Sequence, residues 1–102
     1  MIMRKGCAEL FLYENSGVEK GKEIACSDAF NIIKQIDRQT DWDILKMIRN
    51  IISKKADSYS VSRDKPHIFL FVGNGSDEIS ITFENVEKKL EIKLPKRECL
   101  KL

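Results

Sequence analysis

The chain has 102 residues, 42% of them hydrophobic and 33% charged, with 18 Lys and Arg against 16 Asp and Glu for a net charge of +2. That length suits a single domain, residues 1–102, able to fold without a metal or a disulfide framework. The near balance of charge argues against a dedicated nucleic-acid binder, and no run approaches the roughly 20 apolar residues of a membrane span.

In chain order, residues 8–13 predict a strand, closed by the turn chemistry of Glu14-Asn15-Ser16-Gly17. Residues 18–26, interrupted by Gly21, predict either a short return strand or an irregular lead into a helix. Ser27 is placed as an N-cap, with Asp28 complementing the positive end of the helix dipole. Ala29, Phe30, Ile33 and Ile36 then fall within about 60° of Ile33 on a helical wheel, until Asp37 intrudes on that face. Thr40 predicts the start of a second helix, with Asp43 three residues on as a variant capping box. Ile44, Leu45, Ile48, Ile51 and Ile52 form its stripe, which ends near Lys54.

Residues 67–72 are aromatic and β-branched, the composition of a strand, and are followed by a five-residue loop over 73–77. Residues 78–84 alternate, with Ile79, Ile81 and Phe83 inward and Glu78, Ser80, Thr82 and Glu84 outward. After a turn over 85–88, Leu90, Ile92 and Leu94 alternate with Glu91 and Lys93, and Pro95 stops the sheet. The expected fold class is α+β: an antiparallel sheet of about four strands, the N-terminal strand plus a C-terminal three-strand meander, with two helices packed on one face.

Enzyme chemistry is sparse. His67 is the single histidine, and it opens an apolar strand after Pro66. No Gly-x-Ser-x-Gly elbow or paired-histidine metal motif occurs, and the Gly-rich loop over 73–77 has no lysine and leads into a strand, where a phosphate loop leads into a helix. No catalytic residue, cofactor or metal site is therefore assigned. Cys7, Cys26 and Cys99 are scattered singly, which argues against a secreted disulfide framework and for a reducing, cytoplasmic setting. The first residues lack the apolar stretch of a signal peptide.

Basic residues gather late, at Lys88, Lys89, Lys93, Lys96, Arg97 and Lys101, with Glu87, Glu91 and Glu98 interleaved. Lysine on a last strand commonly guards a sheet edge. The order strand, two helices, terminal meander resembles small ribosome-dependent ribonuclease toxins of the RelE kind, and that resemblance implies arginines and lysines on the sheet to hold a scissile phosphate. It covers element order alone; the strands over 67–72 and 78–83 carry neither residue.

Strand parity marks a different surface. With the helices over Leu10, Leu12, Ile68, Leu70, Ile79, Ile81, Leu90 and Ile92, the opposite face shows Phe11, Tyr13, Phe69 and Phe71. Apolar patches of several hundred Å² are rarely left bare on monomers. Either residues 18–26 or the tail through Cys99, Leu100 and Leu102 covers these rings, or they bind a partner or a second copy of the chain. Trp42, about 120° from Ile48 on the wheel, is a further candidate at the margin of the core. The sequence thus favours a non-catalytic binding or inhibitory protein, such as an immunity protein of a bacterial toxin pair or a phage-encoded inhibitor. The alternative is a nucleic-acid-directed protein using Lys88, Lys89, Lys93 and Arg97.

Overall fold

The computed structural model describes residues 7–14, 17–18 and 21–100. The elements in order are β1 (Cys7–Glu14), β2 (Gly17–Val18), β3 (Lys22–Ala25), α1 (Cys26–Arg38), α2 (Ile44–Ile52), β4 (Ser58–Arg63), β5 (Ile68–Asn74), β6 (Glu78–Asn85), β7 (Lys88–Pro95) and a single-turn helix, α3 (Lys96–Cys99). All strand pairings are antiparallel, in the order β2-β1-β7-β6-β5-β4, with β3 sharing the outer edge of β1.

This corrects the expected sheet of about four strands with two helices. The sheet is six strands wide, and three helices accompany it. The meander over β5, β6 and β7 is as expected, whereas β4 is a strand where the sequence predicts none. Its sequence, Ser58-Tyr59-Ser60-Val61-Ser62-Arg63, alternates strictly yet offers only two apolar residues. What makes it a strand is its neighbour: Tyr59 lies opposite Val72 and Val61 opposite Leu70. Within residues 18–26, Lys22–Ala25 take the return-strand alternative, with Ile24 opposite Ala8. Asn15, Ser16, Glu19 and Lys20, from the expected turn and return segment, lie outside the described residues.

The helix ends show why local signals mislead. α1 begins one residue before Ser27, its N-cap being Ala25 without a side-chain bond. α2 starts later than expected because Asp43, not Thr40, is the cap: its Oδ1 accepts from the Lys46 amide at 3.0 Å. Thr40 is used within the preceding turn, where its hydroxyl oxygen accepts from the Trp42 amide at 3.4 Å. At the other end Lys54 has φ 62°, its amide donating to Ile51 O at 3.1 Å and the Lys55 amide to Asn50 O at 2.9 Å. These two bonds form a Schellman motif, which explains the stop near Lys54.

The core lies between the sheet and the helical layer. Ala29 and Ile33 of α1 and Ile44, Ile48 and Ile51 of α2 meet Ala8, Leu70, Val72, Ile79, Ile81, Ile92 and Leu94. α1 packs over β1, β3 and β7, α2 over β5, and α3 over β7 and β1. Tyr59 ties β4 to the helices, its hydroxyl accepting from Asn50 Nδ2 at 2.9 Å.

A disulfide joins Cys26, the first residue of α1, to Cys99, the last of α3, 73 residues apart with Cα atoms separated by 5.4 Å. This bond is not expected from the scattered cysteines, whose spacing argues against a secreted disulfide framework. Scattered spacing carries no information on which helix ends the fold brings together. No helix among the described residues is long and apolar enough to cross a membrane.

Candidate partner-binding surface

The parity expectation places Phe11, Tyr13, Phe69 and Phe71 opposite the helical layer, and the register agrees. Their neighbours in sequence, Leu10, Leu70 and Val72, join the core beneath the helices. The four rings do not form one cluster, however. β7 and β6 intervene, because β7 pairs with β1. Across the face the rows run Phe11, Glu91, Thr82, Phe71 and Tyr13, Lys89, Glu84, Phe69. Three strand spacings, about 14 Å, separate one ring pair from the other.

The β1 pair is half-buried, with other parts of the chain set against each ring. Lys93 Nζ lies 5.2 Å from the Phe11 ring centre and Lys89 Nζ 5.0 Å from that of Tyr13, both within cation–π range. The Phe11 ring also lies so close over Gly21 that a Cβ there would collide with it. Gly21 belongs to the segment named above as a possible cover. Leu102, of the alternative cover, lies outside the described residues, and Leu100 packs against the core.

The β5 pair is less protected. Phe71 leans over Gly73, whose missing side chain makes room for the ring, and stays half-buried. Beside it Thr82, at the centre of the face, is only 9% exposed. Phe69 is 37% exposed, one of two large hydrophobic residues in that state among the described residues. Its cross-strand neighbours are Ser62 on β4 and Glu84 on β6. Ser60 likewise sits opposite Phe71. These serines are too short to roof the rings, and they are the part of the surface that sequence reasoning missed along with β4.

The face is locally acidic although the chain is slightly basic. Glu9, Glu23, Glu78, Glu84 and Glu91 share it with Lys89 and Lys93, an excess of three carboxylates by that count. Lys93 is also within 3.8 Å of Glu78. The four basic residues put forward for a nucleic-acid groove are not brought together. Lys88 has the parity of Leu90 and flanks a recess with Leu12 and Ile36 on the helical side, Lys89 and Lys93 face the open side, and Arg97 stands in α3 beyond the far end of β7.

Trp42 lies on the helical side of the sheet. It precedes α2 instead of sitting within it, and packs half-buried against the core. His67 is exposed in the turn before β5, not in the strand. The loop between β5 and β6 is shorter than expected, three residues closed by the Gly75 amide donating to Glu78 O at 2.8 Å. Lys96 reaches it from α3, Nζ donating to Gly75 O at 2.6 Å. Among the described residues no group of three or more His, Cys, Asp or Glu is arranged to hold a metal ion.

Between α1 and α2 a shallow recess of about 550 Å³ is lined by Phe30, Leu45, Ile52 and Leu100, with Lys34 and Arg49 at its rim. Comparison with family models, curated proteins and solved structures finds no match to this chain.

Proposed function

We propose that the chain is a non-catalytic binding protein that covers or blocks a protein partner through the open face of its sheet, in the manner of a toxin-immunity protein or a phage-encoded inhibitor. The observation that carries this reading is the exposed Phe69 ring, set between the short Ser62 and the acidic Glu84 on a face with an excess of carboxylates. Aromatic anchors in such settings supply a large share of binding energy. The complementary partner surface has an apolar socket rimmed by Lys or Arg, since like charge at the rim would repel and opposite charge steers the encounter. Phosphates would meet repulsion on this face, which weighs against the nucleic-acid reading.

A photocrosslinking residue, p-benzoylphenylalanine, in place of Phe69 keeps an aromatic side chain there and tests this in the cells of origin. The expected result is a discrete protein adduct, resistant to ribonuclease and absent when the same residue replaces Ser27 on the exposed helical side. Adducts that ribonuclease removes, or none at all, would sink the reading. In parallel, binding to polyuridylate that weakens steeply between roughly 50 and 200 mM salt would favour the nucleic-acid class.

A cytoplasmic setting belongs to this proposal only with the Cys26–Cys99 pair reduced, because cytosolic thiols are normally held so. Alkylation before lysis measures it: both cysteines label in a reducing compartment, and neither does in an oxidising one.

A further inference from the structure

We propose that β4 is a dimerisation edge, on which a second copy of this chain docks its own β4 antiparallel to continue the sheet. The two edges of the sheet are built differently. On one side the outer edge of β1 is met by two short strands, β2 and β3, the kind of broken edge that discourages pairing. On the other side β4 pairs with β5 over six consecutive residues without a bulge. No backbone group of Ser58–Arg63 takes part in a hydrogen bond beyond that ladder among the described residues. Within it there is no lysine and no proline, the usual guards of an exposed edge. The helices leave it accessible, since α2 packs on β5.

The sequence of the edge selects a second copy as its occupant. Antiparallel pairing keeps directly opposite residues on one face, so a self-pairing register must be centred on a residue. Centred on Ser60, it sets Tyr59 against Val61 of the other copy and Ser58 against Ser62, and brings Asp57, the residue just before β4, to the end where Arg63 of the other copy lies. An aromatic–aliphatic pair then falls on the helical face, small hydroxyls meet on the open face, and opposite charges close both ends. Two-fold symmetry supplies each of these contacts twice. Moving the centre to Tyr59 would place a carboxylate, Asp57, against the apolar Val61 and leave Arg63 without a strand partner, because Lys55 is held in the motif that closes α2. Arg63 already bonds Asp41 at 3.1 Å, and a guanidinium has donors enough for a second carboxylate. This inference does not depend on the partner surface at Phe69.

Sedimentation equilibrium of the full chain, with circular dichroism as the control for folding, tests it. The wild type is expected to dimerise in the micromolar range. Asp57→Arg turns two attractive end contacts into repulsive ones at an exposed position and should weaken the dimer tenfold or more with an unchanged spectrum. Adding Arg63→Asp to that variant restores opposite charges across the axis and should recover the dimer. Ser60→Lys, which sets two ammonium groups face to face on the axis, should also give monomer. A wild type that stays monomeric at millimolar concentration, or a dimer that ignores Asp57→Arg and Ser60→Lys, would overturn the proposal. Loss at Asp57→Arg without recovery in the double variant would overturn the register and the occupant argued from it.

Discussion

Reduction of the Cys26–Cys99 bond is expected to lower the stability of the fold by about 4 kcal/mol, the loop-closure entropy of a cross-link spanning 73 residues. The bond encloses nearly the whole core, from the start of α1 to the end of α3, so the unfolded chain is restrained along most of its length. In the folded state the local alternatives are few. α3 is four residues long, buries none of them and has no side-chain cap. Against a typical total of about 5 to 15 kcal/mol this is a large share, and for a chain of this size it corresponds to a fall of roughly 15 to 30 °C in the melting temperature. Calorimetry with and without dithiothreitol, and on Cys99→Ser, should give the same loss. Thiol titration in denaturant should count one thiol per chain before reduction and three after. Equal melting temperatures, or three thiols from the outset, would contradict the bond.

Leu70→Ala and Phe69→Thr, adjacent residues on one strand, should differ sharply in cost. Leu70 is fully buried between Val61 on β4 and Phe83 on β6, beneath the helical layer. Truncation there loses transfer free energy and leaves a cavity, together about 2 to 5 kcal/mol. Phe69 points to the opposite face with more than a third of its surface in water. Threonine keeps a β-branched side chain on the strand, so the loss should be about 1 kcal/mol. Urea unfolding of both variants gives the comparison. A cost at Phe69 equal to or above that at Leu70 would mean the ring is core.

That contrast was legible in the sequence because sheet parity is local. Ile79, Ile81 and Phe83, and Leu90, Ile92 and Leu94, alternate with polar residues and announce the two faces of their strands, whereas the strand over 68–72 is apolar on both faces and shows only aliphatic residues alternating with Phe69 and Phe71. Strand order is not local. Nothing in residues 7–14 or 88–95 says that they pair, and that pairing is what splits the aromatic residues into two sets. β4 is not legible in the sequence because three of its six residues are serine. Its strand character comes from Val72 and Leu70 across the ladder, a tertiary influence that overrides weak propensity. Thr40 and Asp43 are both good caps, and only the turn that draws Thr40 into its own bonds decides between them. The covering of Phe11 by Gly21 and Lys93 needs three segments in place at once, although Gly21 itself stood in the segment named as a cover.

The functional reading depends on an open sheet face with Phe69 bare upon it, and solvent paramagnetic relaxation measures that directly. With an inert gadolinium chelate in solution, the Phe69 ring protons should relax as fast as those of exposed side chains, while the Leu70 and Val72 methyls, one and three residues on and turned to the helical face, stay protected. Protection of Phe69 equal to that of Leu70 would show the face to be covered, and the proposed partner surface would be lost with it.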